Sequence, residues 1–399
     1  MKINNPLNKS LTRKSRNNTS LFIFANTISY LGDLVFLMVI NLWVVRVSGD
    51  ASVLGLVSAI SAIGLLIGNP IGGYLSDKLN KKSLLIISDS FSAIAVLFLY
   101  LIYQENSINY IALTACNFLI SFCFAIYSPT SRAITPLLVS KEKISSLNSK
   151  LSVSTEIIKV ISPSLGALLM SVGYFNEKDL MLTNLISFSL SLICSILLKP
   201  ISDSFKNPSS ENSTYLEAWR KMGDLKYIVL IFSIFHLFLG GINVVLPFVG
   251  IVGEQNYYGY LLGTEAFGAV LAGLTYRRAS SYLQKIDERN ILFLCGIFIL
   301  LTIPHLGIYL NLLTIMFYGY FFTLYSIFFL TTIQLKSEQD YIGRFFGILY
   351  TCISIFLPLG SLLFGFVEKV FSNYGMSIIG LMMILSAVVL LVLKKNKGV

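Results

Sequence analysis

The stretch Gly72-Gly73-Tyr74-Leu75-Ser76-Asp77-Lys78-Leu79-Asn80-Lys81-Lys82 lies between two apolar runs, each long enough to cross a bilayer. It reads as a helix end, a sharp turn and a helix start. The glycines permit a neighbouring helix to approach closely, Asp77 can cap and pair at the corner, and Asn80 tolerates the left-handed backbone that a tight turn uses. Lys78, Lys81 and Lys82 mark the turn as cytoplasmic, because basic residues are retained on that side.

The same alternation of apolar run and short polar gap fills the chain. Of 399 residues, 55% are hydrophobic and 13% charged, and the mean hydropathy is +0.75. A soluble domain does not carry this composition, so an integral membrane protein surrounded by lipid is expected. The net charge of +10 is confined to the gaps, which makes it a topology signal and argues against a nucleic-acid partner. Cys116, Cys123, Cys194, Cys295 and Cys352 all fall inside apolar runs without metal-ligand spacing. They read as buried free thiols, with no disulfide framework and no metal site. Residues 1–20 are polar and basic, without a short apolar core or cleavage site, so no cleaved signal peptide is expected.

Runs of about 20 residues, the length of one helical crossing, fall at 21–46, 52–75, 83–104, 108–131, 147–173, 180–199, 226–251, 257–276, 290–310, 312–334, 345–370 and 375–393. They predict an all-α integral membrane protein of twelve transmembrane helices in two pseudo-symmetric six-helix bundles. The expected organisation is a tail over 1–20, a bundle over 21–199, a linker over 200–225, a bundle over 226–393 and a tail over 394–399. Residues 215–222 of the linker alternate apolar and charged positions as a short interfacial helix does. The ninth and tenth runs nearly merge, and a tight reversal is placed at Leu310-Asn311. Lys and Arg in alternate gaps outnumber those in the other gaps 25 to 3, which puts both termini in the cytoplasm. Pro163 and Gly166 in the fifth run match Pro358 and Gly360 in the eleventh, and Gly73 matches Gly273, as in a duplicated transporter.

Ionisable side chains within a span are costly and mark function by default. Asp33 lies about 18 Å along the first run, near the midplane, where a carboxyl can take up and release a proton. The bland alternative is an Asp bonded to Ser29 or Tyr30. Glu156 and Lys159, three apart on one face, can pair as a clamp or as a static ion pair. Glu265 is the deep acid of the second half and is expected to face Asp33 across a cavity. His236 can titrate near neutral pH or simply be hydrogen-bonded. Gly64, Gly68 and Gly72 recur every fourth residue and are expected to pack on the eleventh helix at Gly360. Asp89 and Arg344 are expected to join the charge network of the opening turn. No residue pattern points to an enzyme or a cofactor.

The turn resembles the loop between the second and third helices of the major facilitator superfamily, Gly-x-x-x-Asp-Arg/Lys-x-Gly-Arg/Lys-Arg/Lys, departing at Asn80. Ile28-Ser29-Tyr30-Leu31-Gly32-Asp33, Leu84-Leu85-Ile86-Ile87-Ser88-Asp89, Tyr127-Ser128-Pro129-Thr130-Ser131-Arg132-Ala133 and Gly343-Arg344-Phe345-Phe346-Gly347 are similar to its macrolide-efflux and siderophore-exporter branch. The resemblance implies a monomeric exporter in a bacterial plasma membrane that moves a hydrophobic or amphipathic small molecule, such as a macrolide, against protons by alternating access. A siderophore, peptide or lipid cargo, or a sensor or immunity protein that binds without turnover, is the alternative. The intramembrane Arg followed by Gln-Gly of proton-linked drug exporters is absent from Asn117-Phe118-Leu119-Ile120-Ser121-Phe122, and their fifth-helix Gly-Pro motif is reduced to Ser162-Pro163.

Overall fold

Each apolar run of the sequence falls on a helix. The computed structural model describes residues 6–48, 51–105, 107–171, 177–199, 214–223, 225–249, 251–252, 255–283, 288–303, 307–371 and 374–396. Among the described residues, twelve helices carry the runs: α1 (Pro6–Ser48), α2 (Ala51–Lys78), α3 (Lys81–Ile102), α4 (Tyr110–Leu138), α5 (Lys141–Ser171), α6 (Glu177–Leu197), α8 (Leu225–Val249), α9 (Tyr258–Leu283), α10 (Glu288–Leu300), α11 (Ile308–Lys336), α12 (Ile342–Val370) and α13 (Gly375–Asn396). The short α7 (Tyr215–Lys221) is the expected linker helix. Residues 200–213 of the linker and 397–399 of the C-terminal tail lie outside the described residues. A two-residue antiparallel pairing joins Ile251–Val252 to Gln255–Asn256.

Among the described residues, nine helices are long and apolar enough to cross a membrane. The helical solution is dictated by the solvent, since hydrocarbon offers nothing to an open backbone donor or acceptor. α5 and α9 carry their polar residues within the run, and α10 has only 13 residues.

Three boundaries differ from the sequence expectation. α1 begins at Pro6, so most of the expected tail over 1–20 continues the first span as helix. The reversal placed at Leu310-Asn311 falls earlier, between Leu300 and Ile308, where Gly307 takes φ 87°. Asn311 sits inside α11, and its side-chain oxygen accepts the Ile303 N–H at 3.0 Å, tying the turn down. Asn80 is extended, not left-handed, with φ −64° and ψ 118°; it is the N-cap of α3, its side chain accepting the Ser83 N–H at 3.1 Å.

The chain forms two compact units. Unit 1 comprises Met1–Leu147, Ile161–Lys221 and Gln334–Thr351; unit 2 comprises Asn148–Val160, Met222–Ile333 and Cys352–Val399. The units therefore do not follow the two sequence bundles throughout: part of α5 belongs with unit 2, and the start of α12 with unit 1.

In unit 1, α2 packs on α4. A Cβ at Gly64, Gly68 or Gly72 would strike Phe118, Phe122, Ala125 or Ile126, so the glycine stripe serves this neighbour and not the eleventh span, contrary to the sequence expectation. Close backbone approach, with the van der Waals contact it permits, is what holds helices together where lipid removes the hydrophobic drive. α1 meets α6 in the same way, Gly32 lying against Asn184, Ser187 and Phe188. Trp43, Phe36, Leu99, Met181 and Phe188 fill the core between these helices. Lys82 departs from its expected place in the turn network. Its ammonium donates to the carbonyls of Ile196, at 2.8 Å, and Leu198, where α6 ends, a favourable site for a cation. At the opposite end Arg46 Nε lies 2.8 Å from buried Glu177, and Lys178 lies over the Tyr100 ring.

In unit 2 the same devices recur at matching places. α9 meets α11 at Gly268 and Gly319, and α10 meets α13 at Gly296 and Gly380. Arg289 donates to the Leu390 carbonyl near the end of α13 at 2.8 Å, as Lys82 does for α6. Gly360 of α12 lies against Leu237 of α8, while Pro358 is exposed. Phe232, Phe235, Tyr325 and Phe329 pack ring against ring between α8 and α11, Phe232 and Phe329 stacked. Pro163 and Gly166 lie in α5, with side-chain surroundings outside the described residues.

Candidate functional site

The opening turn acts on a helix 266 positions away along the chain. Asp77 Oδ1 accepts the Gly343 N–H at 2.6 Å, and Oδ2 accepts the Arg344 N–H at 3.0 Å. These are the second and third residues of α12, whose first-turn donors have no partner within their own helix. Asp77 thus caps a distant helix rather than its own corner, and its charge faces the positive end of that helix dipole. Arg344 Nε lies 3.0 Å from Asp77 Oδ2, with both side chains 1% exposed; the contact is an ion pair whose N–H does not point straight at the oxygen. The guanidinium also sits 5.6 Å from the Tyr74 ring centre and 5.0 Å from that of Tyr341, in cation–π range.

Glycine makes this joint possible. A Cβ on Gly343 would collide with the Ser76 hydroxyl and the Gly73 carbonyl, and one on Gly73 with the backbone of Gly343 and Gly347. The linker helix is fastened to both sides. Tyr215 donates its hydroxyl to the Pro70 carbonyl, and Lys221 Nζ lies 2.7 Å from Glu338 and 4.3 Å over the Tyr341 ring. The hydrogen bond to Glu338 holds the Lys221 ammonium above its ordinary range. Lys78 lies over Tyr74 at 6.0 Å, and Lys81 is within electrostatic reach of Asp77.

Asp89 is not part of this network. It lies in a polar pocket inside unit 1, where Ser29 and Ser191 donate to its two carboxylate oxygens at 2.9 and 2.7 Å. Three of the four stretches similar to the exporter branch converge here: Ser29 and Asp33 from α1, Ser88 and Asp89 from α3, and Tyr127 from α4 all line the pocket. Asp33 is within electrostatic reach of Asp89, and neither carboxyl forms an ion pair with a described basic residue. The cavity has room for about one water molecule. Ser88, 3% exposed, has a buried hydroxyl with no hydrogen bond. The Tyr127 hydroxyl lies close to Asn26 and Ser191 without meeting either in hydrogen-bond geometry. Beside the pocket, Asn26 donates to Ser131 at 2.7 Å.

The remaining candidates group in unit 2. Lys159 Nζ lies 2.8 Å from Glu156, and both are within electrostatic reach of Glu265. His236 has Nδ1 2.9 Å from the Phe232 carbonyl of its own helix, with its ring against Phe232 and Phe322. Ser149 donates to the Gly273 carbonyl, and Asn148 to Thr331 at 3.0 Å, pinning α5 to α9 and α11. The described residues hold no group of three or more His, Cys, Asp or Glu that could bind a metal ion.

Sequence reasoning missed Ser29, Ser88 and Tyr127 as pocket residues, Ser191 as a partner of Asp89, and the contacts of Arg132. Arg132 Nε donates to the Tyr350 hydroxyl at 3.1 Å, and its carbonyl accepts from Gln334 at 2.9 Å. A signal for the pocket was present. Asn184, Ser187, Ser191 and Ser195 in α6, and Ser88 and Ser92 in α3, recur at helical spacing within apolar runs and are all buried. Such a polar seam in a span marks a face turned away from lipid.

Residues 22–361 match the family model described as Major Facilitator Superfamily. A curated relative named "Macrolide efflux protein A", from Streptococcus pyogenes, is 23% identical over 378 residues, covering 91% of this chain and 92% of the relative. A protein of the same name from Enterococcus faecalis is 23% identical over 327 residues, covering 78% of this chain and 99% of the relative. Among solved structures, the human organic anion transporter MFSD10 (TETRAN) superposes with a TM-score of 0.74 at 14% identity, covering 94% of this chain and 98% of that one; at that identity the likeness speaks to the fold alone.

Proposed function

The chain belongs to the Major Facilitator Superfamily, and on that footing we propose that it exports a hydrophobic or amphipathic small molecule of macrolide type, driven by the proton gradient. One observation carries the coupling. Asp33 and Asp89 share a pocket within a multi-pass membrane protein and have no basic partner in ion-pair contact among the described residues. Carboxyl groups in such surroundings are expensive unless their charge is balanced. A proton is the simplest balance, and Asp33, which no serine hydroxyl among the described residues engages as Ser29 and Ser191 engage Asp89, is the group that takes it up and gives it back. The cavity is too small for a drug, so substrate binds elsewhere and the pocket serves the ion.

The joint between Asp77 and the start of α12 is the latch of one access state. Opening it exposes the first-turn donors of α12 and separates a buried ion pair, so the change of state is a two-position switch. The Lys and Arg bias supports a cytoplasmic position for this joint and for both termini, and the bacterial relatives support a bacterial plasma membrane. The macrolide cargo is supported by the two relatives of that name.

The reading is tested in a macrolide-sensitive host. Expression of wild type raises the inhibitory concentration of a macrolide, while Asp33→Asn or Asp77→Asn expressed at equal level does not. Protection by Asp33→Asn equal to that of wild type refutes the coupling role.

A further inference from the structure

We propose that the pocket shared by Asp33 and Asp89 also binds a small monovalent cation, Na⁺, seated against Asp89 and the hydroxyls of Ser88 and Tyr127. The inference rests on the reading of Asp33 and Asp89 as the coupling site, and it adds a second ion to that site.

Hydrogen bonding sets the charge to be balanced. Asp89 is 1% exposed and accepts a hydroxyl hydrogen bond on each carboxylate oxygen, the pattern of an ionised group. With Asp33 protonated, one negative charge remains, and one positive charge balances it. The lining supplies the ligands of a hard ion. The Asp89 carboxylate from α3, the Asp33 carboxyl from α1 and hydroxyls from α3 and α4 line the cavity, alongside the Cys123 thiol. Oxygen donors select alkali and alkaline-earth ions over softer metals.

Ser88 is the independent pointer. A proton on Asp33 leaves the buried Ser88 hydroxyl without a partner, whereas a cation in the cavity takes that lone pair and the one on Tyr127. Buried polar atoms without partners are rare enough to call for an occupant. The space, about that of one water, suits a dehydrated Na⁺ and excludes an organic ammonium.

The test uses the purified full-length protein in detergent, heated at constant ionic strength in NaCl, KCl, choline chloride or CaCl₂. Ligand that binds the folded state raises the unfolding midpoint with the logarithm of its concentration once that exceeds Kd. NaCl is expected to raise the midpoint of wild type over choline chloride, increasingly with concentration, and Ser88→Ala to weaken the apparent Na⁺ affinity by about tenfold. Asp89→Asn abolishes the response, and Asp33→Asn, which imitates the protonated carboxyl, keeps it. Equal midpoints in NaCl and choline chloride, an unchanged response in Ser88→Ala, or a stronger response to Ca²⁺ than to Na⁺ each overturns the assignment. Should Asp89→Asn fail to fold, the wild-type salt comparison and Ser88→Ala still decide. Loss of the Na⁺ response leaves proton-driven export standing, because that is read from flux at fixed Na⁺.

Discussion

Asp77 of α2 accepts the backbone N–H of Gly343 at 2.6 Å while its other oxygen lies 3.0 Å from Arg344 Nε. One carboxylate is therefore both the cap of α12 and the counter-ion of that helix's third residue. Asp77→Asn keeps an acceptor and discards the charge, leaving Arg344 buried and unneutralised by Asp77. Its expected cost is about 3 kcal/mol, read as a lower unfolding midpoint in detergent. Arg344→Lys does not substitute, since an ammonium lacks the planar face that lies between Tyr74 and Tyr341. A midpoint within experimental error of wild type for either variant contradicts this account of the joint.

Asn80 replaces the glycine of the family pattern without strain, because it caps α3 with an extended backbone. Asn80→Gly is expected to cost only a few tenths of a kcal/mol and Asn80→Ala about 1 kcal/mol. A gain in stability from Asn80→Gly identifies a strained turn instead.

Gly343 has no room for a side chain, its missing Cβ lying where the Ser76 hydroxyl and the Gly73 carbonyl stand. Gly343→Val is expected to hold the joint open. The readout is Ser76→Cys in a background lacking the native cysteines, a site 0% exposed. That thiol should resist maleimide while Gly343 is kept and react once Gly343→Val is added. Equal labelling in the two backgrounds contradicts the close approach.

His236 bonds to its own helix and packs among aromatic rings. His236→Phe is expected to retain export and its pH profile, measured in inverted vesicles. A displaced profile makes His236 a coupling group.

The spans were legible because hydropathy is a property of single runs. Every apolar run became a helix, and the charged corner after Gly73 pointed to the family. What was not legible is the rotation of each helix about its axis, which decides partners. Asp89 stands in the first half of α3, close to the turn along the chain, yet its rotation turns it to Ser29 and Ser191 and away from Arg344. Lys82 belongs to the same turn but reaches the end of α6. The glycine stripe at Gly64, Gly68 and Gly72 announced close packing without naming α4 as the neighbour. The periodic serines of α6 carried more information than any single acid, since a repeated polar position fixes a face.

The central claim is that the Asp33 and Asp89 pocket couples export to protons. It is tested most directly by reconstituting the full-length protein in liposomes, imposing a pH gradient and following uptake of a radiolabelled macrolide. Wild type should concentrate the drug into the compartment that supplies protons and stop when an ionophore collapses the gradient, while Asp33→Asn should carry it only downhill. Uphill, gradient-dependent accumulation by Asp33→Asn at the wild-type rate, or none by wild type, contradicts the account.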